Sequence, residues 1–374
     1  MPWRPKSLLT FRRKLLAWFR ANRREHPWRR DRNPYRVWLA EVMLQQTRIA
    51  AVIPYYEKFI ARFPDIAALA AAPEQDVLRH WAGLGYYSRA RNLQRAAKEI
   101  TATRAGKFPN NFEGILSLPG IGPYIAAAVA SIAFDSPHAV VDGNVARVLA
   151  RLSAVRGDLR QPKRWAQLAA TAQTLLDTKT SGDWNEALME LGETICTPKS
   201  PQCAICPLAR WCEARRRNLV NEIPETRKKR APVHQKIASA VLIDTRQRTL
   251  LVRDPGAHDT VLFSRMWQFP AIETAPPANA KTELARHLVE TQVLTSAQAA
   301  TLAALPHAKH GVTFRNITLM PYVARVANLP QLPRSRRVPL SDIARLPISS
   351  ATRKIAAAAL KALANGWQSA LFES

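Results

Sequence analysis

The sequence predicts two domains: a larger, mostly α-helical one followed by a smaller α+β one. From about residue 8 to residue 215, alanine-rich apolar segments at helical spacing are separated by prolines and glycines. Beyond residue 236 they give way to short runs rich in threonine, valine and aromatic residues, which are typical of strands. A chain of 374 residues is long enough for each domain to bury its own core.

Within this plan, the first element is an amphipathic helix, because Leu8, Phe11, Leu15 and Phe19 recur at the spacing of one helix face. The arginines around it are also found in transit peptides, but the apolar spacing favours a helix of the fold. We place the helical domain at 1–217, an exposed charged linker at 218–235, the α+β domain at 236–347 and a helical tail at 348–374.

The charge of the chain indicates a polyanionic partner. Lysine and arginine total 55 against 28 acidic residues, which gives a net charge of +27. Such an excess attracts phosphates, and the release of their counterions favours binding to nucleic acid. A cationic surface that serves solubility alone is the alternative, and it is less consistent with a chain that is 47% apolar.

All four cysteines lie within one short segment, at Cys196, Cys203, Cys206 and Cys212. Disulfides are disfavoured in a chain of this size with no visible secretory signal. A structural zinc ion accepts four thiolates, although zinc sites usually pair two C-x₂-C knuckles and this segment has one. A [4Fe–4S] cluster also takes four closely spaced thiolates. Chemistry alone leaves both metal centres open, with the cluster slightly favoured.

The segment LPGIGPY places two glycines before an apolar helix. Gly120 and Gly122 permit a tight turn and a close approach of the backbone to another surface. Pro123 suits the first position of the next helix, whose free N–H groups could bind a phosphate. An ordinary turn between two helices is the simpler alternative for the glycines alone.

Two carboxylates stand out. Glu41 lies in an otherwise apolar helical run, and burial there would raise its pKa and make it a useful acid. Asp142 precedes a helix in the segment VVDGNV, where an N-cap is the simplest role and does not exclude catalysis. An acid and a second carboxylate together suit cleavage of a glycosidic bond.

Four motifs occur in the order found in one family: AEVMLQQT, GLGYYSRARNLQ, LPGIGPY with VVDGNV, and C-x₆-C-x₂-C-x₅-C. Together they resemble the helix-hairpin-helix, iron–sulfur DNA glycosylases of the endonuclease III superfamily, and among these the adenine DNA glycosylase (MutY-type) family. The resemblance implies a helix-hairpin-helix glycosylase domain with a [4Fe–4S] loop at 196–212. It also implies a smaller, Nudix-like α+β domain that recognises 8-oxoguanine.

The resemblance also implies catalytic roles. Glu41 would protonate adenine, Asp142 would stabilise the oxocarbenium charge on the sugar, and Asn144 would support the same site. Bifunctional relatives carry a lysine where this chain has Tyr124. Without that amine the Schiff-base route to strand cleavage is closed, so Tyr124 predicts a monofunctional enzyme.

DNA contacts follow from the same resemblance. Gln46 matches a residue that inserts into the duplex, and Tyr86 matches a wedge position, although a core aromatic is the alternative for Tyr86. Where relatives carry Phe-Ser-His on a loop that probes 8-oxoguanine, this chain has Ala308-Lys309-His310, so Lys309 and His310 are the candidates. The Mg²⁺-binding signature of Nudix hydrolases is absent from the segment ELARHLVETQVL.

The sequence therefore predicts excision of adenine from A·8-oxoguanine or A·G mispairs in double-stranded DNA. A thymine or uracil mismatch glycosylase, or a non-catalytic iron–sulfur DNA-binding protein, is the alternative. The sequence contains no run of about 18 uninterrupted apolar residues, so we expect no membrane span. We expect a monomer in the bacterial cytoplasm, held at the nucleoid through DNA, with repair partners that bind the linker.

Overall fold

The structure is a computed structural model that describes residues 5–225, 231–253, 266–274, 279–312 and 314–365. The chain divides into two compact units. The first, called the helical unit, comprises Met1–Ala72 and Arg89–Lys228, and the second, called the sheet unit, comprises Pro73–Ser88 and Lys229–Ser374.

The first half of the chain is helical, as predicted. Its α-helices are, in chain order, α1 Pro5–Asn22, α2 Pro34–Leu44, α3 Ile49–Arg62, α4 Ile66–Ala71, α5 Glu74–Trp81, α6 Ser88–Arg104, α7 Phe112–Leu116, α8 Pro123–Phe134, α9 Gly143–Ser153, α10 Pro162–Leu175, α11 Ser181–Thr194 and α12 Glu213–Arg216. The α5 segment groups with the sheet unit, and the other helices belong to the helical unit, apart from the first residue of α6, Ser88.

The helical unit is built around α8, in which every residue from Ile125 to Ile132 is buried. Its small alanine side chains allow α2, α7 and α11 to pack closely against it. The first helix, α1, buries Phe11, Leu15 and Phe19 completely, which confirms the predicted amphipathic face. These three residues share one apolar core with α9, α10 and α11.

The described part of the sheet unit contains one eight-stranded mixed sheet. Its strands are β1 Val233–Ile243, β2 Arg248–Arg253, β3 Trp267–Gln268, β4 Ala271–Thr274, β5 Ala303–Ala304, β6 Ala308–Val312, β7 Arg315–Arg325 and β8 Ser335–Pro339. The long strands β1 and β7 pair in parallel over their whole length. Besides α5, the described α-helices of the unit are α13 Ala280–Glu290, α14 Ser296–Ala300 and α15 Ser350–Ala364.

Helices cover both faces of this sheet. Along β1, Val241 and Ile243 share a core with α15, while Ala240 and Leu242 share another with α13 and α14. This alternation is the period of two that a strand imposes on its side chains. Because α15 contributes Ala351, Ile355 and Ala359 to the core, the helix that the sequence places in a tail packs as part of the sheet unit.

The segment Ala308-Lys309-His310 is not in a loop. It forms most of β6, which pairs antiparallel with β7 and places Lys309 opposite Thr318. The partly buried Ala308 and Val312 alternate with exposed residues, so the segment has the pattern of an edge strand. The expectation of a loop here was wrong because β7 supplies a pairing edge that local sequence does not reveal.

Candidate active site of the helical unit

Glu41 is the central residue of the candidate site. It lies on α2, where eight of eleven residues are buried, and its own side chain is only 6% exposed. The Tyr124 hydroxyl, on the first turn of α8, donates a hydrogen bond of 2.9 Å to Glu41 Oε2. Burial raises the pKa of Glu41 to about 7; the hydrogen bond from Tyr124 opposes this rise and the charge of Asp142 adds to it. Near neutral pH this carboxyl therefore holds a proton that it can give away.

Asp142 is the N-cap of α9. Its Oδ1 accepts a hydrogen bond of 2.7 Å from the backbone N–H of Val145. The side chain is half-buried and has a second oxygen, so capping leaves part of the carboxylate free to act on a bound molecule. The structure thus confirms the N-cap geometry and places the carboxylate in the same site as Glu41.

Two cavities meet at Glu41. The outer cavity, of about 660 Å³, is lined by Gln46, Tyr124, Asp142 and Asn144 in addition to Glu41. The inner cavity, of about 100 Å³, also includes Glu41 in its lining and has walls that combine apolar and charged side chains. These walls include Trp28, Arg29, Val37, Leu44, Ile49 and Glu186. Glu41 is therefore placed to act on a group that reaches from one cavity into the other.

The inner cavity brings in residues that the sequence analysis missed. Arg29 donates hydrogen bonds of 2.7 Å to Glu186 and 2.8 Å to Glu190, which lie one turn apart on α11. Burial raises the pKa of Glu186, and the charge of Arg29 opposes that rise. Met189 and Glu193, also on α11, line both cavities. The repeat of Glu186, Glu190 and Glu193 on one helix face of a basic chain is the sequence signal that could have indicated them.

His26 lines the inner cavity with a buried imidazole ring. It stacks on Trp28 with ring centroids 5.0 Å apart, and neither of its ring nitrogens has a hydrogen-bond partner in the described part of the chain. Burial, together with the charges of Arg29 and Arg24, lowers its pKa to about 4. The ring is thus neutral at physiological pH, with one donor and one acceptor available to a bound molecule.

Asn144 is connected to the cysteine segment. Its Oδ1 accepts a hydrogen bond of 2.9 Å from Arg147, which also donates to the carbonyl oxygens of Gly192 and Cys196. One turn further along α9, Arg151 lies 3.3 Å from the sulfur of Cys196 and donates to the carbonyl of Thr197. Both arginines are buried, so α9 joins the candidate site rigidly to the cysteine loop.

The four cysteines fit an iron–sulfur cluster. All four are free thiols in the structure. Burial raises the pKa of Cys206 to about 12, and the charges of the other three cysteines contribute, so the four thiols lie near one another. Four closely placed thiolates are the ligand set that a [4Fe–4S] cluster takes.

Gly120 and Gly122 lie at the turn between α7 and α8, but for different physical reasons. Gly120 has φ +76°, and a Cβ atom there would lie 2.5 Å from the Cβ of Asn92. Gly122 is the N-cap of α8 with φ −98°, and no atom lies within 4 Å of the position its Cβ would take. The fold therefore requires glycine at 120, whereas the open space at 122 is available to another molecule.

This contrast gives a matched pair of substitutions. Gly120→Ala should destabilise the helical unit by about 1 to 3 kcal/mol, because the change adds backbone strain and a clash. Gly122→Ala should cost only about 0.5 to 1 kcal/mol, because alanine is a poorer N-cap than glycine, but it should also weaken DNA binding, because a methyl group would keep a phosphate from the N–H groups of α8. Thermal unfolding and DNA titration of both variants test this. Equal losses of stability would contradict it.

Gln46 and Tyr86 share one backbone feature. Both are exposed and adopt left-handed conformations, with φ +56° and φ +48°, that non-glycine residues seldom adopt. Arg89 supports the turn at Gln46 by donating to the carbonyl oxygens of Val42 and Gln45. Gln46 lines the outer cavity, while Tyr86 belongs to the segment that groups with the sheet unit. The exposure of Tyr86 argues against the alternative of a core aromatic.

Comparison with known proteins defines the class. The model of HhH-GPD superfamily base excision DNA repair proteins matches residues 39–173, which contain Glu41, Tyr124 and Asp142. The model of the iron–sulfur binding domain of endonuclease III matches residues 196–212, which confirms the [4Fe–4S] cluster predicted from the sequence. The solved structure of a thermostable thymine-DNA glycosylase superposes with a TM-score of 0.52 at 29% identity, and covers 57% of this chain and 98% of that one.

Curated relatives narrow the class. The adenine DNA glycosylase of Buchnera aphidicola subsp. Schizaphis graminum is 36% identical over 231 residues, which cover 62% of this chain and 67% of that protein. The adenine DNA glycosylase of Homo sapiens is 46% identical over 220 residues, or 56% of this chain. The match spans only 40% of the human protein. The chain belongs to the adenine DNA glycosylase family.

No helix in the part of the chain that the structure describes is long and apolar enough to cross a bilayer.

Proposed function

We propose that the protein is a monofunctional DNA glycosylase that excises adenine mispaired with 8-oxoguanine or guanine in double-stranded DNA. The observation that carries the proposal is the buried Glu41 carboxyl, which has a pKa of about 7 and lies at the junction of two cavities beside Asp142. The family of the chain supports adenine as the base. The net charge of +27 supports DNA as the partner.

In this proposal the flipped adenine enters the inner cavity and its deoxyribose stays in the outer one. The inner cavity offers an aromatic wall at Trp28 and polar groups at Glu186 and His26, which suit a heterocyclic base. Asp142 lines the outer cavity, where the sugar would lie, and is not among the residues that line the inner one. Such extrusion is needed because the glycosidic bond is inaccessible while the base is stacked.

Chemistry then follows from the two carboxylates. Glu41 gives its proton to adenine, so that the C1′–N9 bond breaks with its electron pair going to the base. Asp142 stabilises the positive charge left on the sugar, and water adds at C1′ and releases a proton that restores Glu41. Tyr124 holds the Glu41 carboxyl in place, and Asn144 is available to orient the water. Because Tyr124 has no amine, the strand stays intact.

DNA contacts divide among several elements. The N–H groups at the start of α8, beside Gly122, would bind a phosphate, and the strained turns present Gln46 and Tyr86 for insertion into the duplex. When bound, a [4Fe–4S] cluster supplies four iron–thiolate bonds that fix the loop between Cys196 and Cys212. On β6 the exposed Lys309 supplies a donor, and the partly buried His310, whose pKa is lowered by burial, is a candidate for recognising the opposite base.

A related base specificity is the second candidate, because the solved structure described above acts on thymine. Duplexes with adenine opposite 8-oxoguanine, guanine or thymine distinguish the two. We expect strand breakage at adenine in the first two duplexes, and only after hot alkali. Breakage without alkali would refute the monofunctional mechanism. Excision of thymine from a G·T duplex, without excision of adenine, would establish the alternative.

A further inference from the structure

The outer cavity opens to solvent beside a tryptophan that the proposed function does not use. Three of the residues that line this cavity are exposed, and they mark the place where it opens: Gln46, Arg48 and Trp165. Gln46 and Arg48 are polar, whereas Trp165 brings a large apolar ring that is 36% exposed. Tryptophan is highly buried on average, so its exposure at the opening of a catalytic cavity indicates a contact with a bound molecule.

Trp165 is exposed although it lies on the inward face of α10. It precedes Leu168 by three residues and Ala172 by seven, so the three side chains share one side of the helix. Leu168 and Ala172 are buried in the core that α10 shares with α9 and α11. Trp165, in the first turn of α10, extends the same apolar stripe beyond this core and lines the cavity instead. The indole thus forms part of the cavity wall that also contains Asp142.

We propose that Trp165 binds the substrate by packing against the deoxyribose–phosphate backbone next to the flipped nucleotide. This inference rests on the proposed function, which places the flipped deoxyribose in the outer cavity and its base in the inner one. The strand continues from that deoxyribose through a phosphate to the next sugar, and it must leave through the opening of the cavity. There the face of the indole suits the apolar carbons of a deoxyribose, and its N–H can donate to a phosphate oxygen.

Such a contact has a definite kinetic consequence. A backbone that packs on Trp165 does so both before and during cleavage of the glycosidic bond, because the bond that breaks lies on the other side of the sugar. An interaction that is equally strong in the bound substrate and in the transition state contributes to affinity and not to the maximal rate. Trp165 therefore differs from Glu41 and Asp142, whose proposed roles are in the chemical step.

Single-turnover excision at increasing protein concentration tests this difference. Trp165→Ala should raise the half-saturating protein concentration about tenfold or more and leave the maximal rate within about twofold, and Trp165→Phe should restore most of the affinity. Leu9→Ala is the matched control, because it removes a 66% exposed apolar side chain on α1 that lines neither cavity of the site. It should change neither quantity.

A second duplex separates this contact from recognition of the base. In it a tetrahydrofuran residue replaces the target nucleotide and provides a sugar without a base, so that binding is measured without excision. Trp165→Ala should weaken binding of this duplex by the same factor, and that result would stand even if the protein proved not to excise adenine. Trp165→Gln, which removes the apolar ring but keeps a long side chain, should behave alike if the alanine variant is unstable. Native affinity of both variants for this duplex, or a slower maximal rate at native affinity, would overturn the proposal.

Discussion

Glu41→Gln should abolish most adenine excision while making the protein more stable at alkaline pH. Glutamine keeps the size of the side chain and can still accept the hydrogen bond from Tyr124, but it has no proton to give. A positioned general acid typically contributes about 10² to 10⁴ in rate, so we expect a loss in that range. Single-turnover excision measures it, with the exposed Glu57→Gln on α3 as the control that should be neutral.

The pH dependence has a definite sign. Burial raises the folded-state pKa of Glu41 from 4.5 to about 7, so the acid form needed for excision persists up to about pH 7 and is lost above it. The native rate should then fall about tenfold per pH unit, and that dependence should vanish in Glu41→Gln. A native rate unchanged from pH 6 to pH 9 would exclude Glu41 as the acid.

Stability follows the same pKa. A carboxyl whose pKa is raised by folding destabilises the folded state once it is ionised in both the folded and the unfolded protein. For Glu41 this is the case above about pH 7. There the burial of its charge costs about 3 kcal/mol, whereas below the unfolded pKa of 4.5 it costs nothing. Denaturant unfolding should therefore show the variant to be more stable at pH 8 and equal to the native protein near pH 4. The site maintains its acid at the expense of stability.

Asp142→Asn should separate capping from catalysis at a single position. Asparagine is as good an N-cap as aspartate, so its Oδ1 still accepts from the N–H of Val145, and unfolding should change by less than about 1 kcal/mol. The negative charge beside the sugar is lost, and removal of one such electrostatic stabiliser costs about 10² to 10³ in rate. Single-turnover excision together with denaturant unfolding gives both numbers.

The chain offers a close control for this variant. Asp65 is the N-cap of α4 and accepts a hydrogen bond of 2.8 Å from the N–H of Ala68, away from both cavities. Asp65→Asn makes the same chemical change and should leave excision intact. Since the charge of Asp142 contributes to the raised pKa of Glu41, Asp142→Asn should also move the fall in rate to lower pH. Full excision activity in Asp142→Asn would show that Asp142 acts only as the N-cap of α9 and not in catalysis.

The site residues that could be predicted from the sequence are those that stand out within a short segment of the chain. Glu41 stood out because a lone carboxylate in an apolar helix must either face solvent or be buried at a cost, and the four cysteines lie within one segment. The pairing of Tyr124 with Glu41 joins residues 83 positions apart, and no local pattern indicates it. Arg29 and Glu186 are separated by 157 positions, so the inner cavity needed the tertiary fold.

The same distinction applies to the sheet unit. The strands β1, β2 and β7 carry apolar runs long enough to be recognised, and they form the centre of the sheet. In contrast, β5 has only two alanines, and β8 (SRRVP) has a single large apolar residue, so both owe their conformation to a neighbouring strand that offers free backbone groups. Ala308-Lys309-His310 likewise forms a strand because it pairs with β7.

The joining of α1 to much later helices has a consequence for synthesis of the protein. Phe11 and Phe19 share a core with Trp184 and Ile223, and Arg24 forms ion pairs with Glu190 and Glu193. At translation rates of about 5 to 20 residues per second, the apolar face of α1 waits roughly 10 to 40 s before Ile223 has been added. During that interval the nascent chain exposes aromatic side chains that the finished protein buries completely. The core that holds α1 is therefore completed only late in the synthesis of the helical unit.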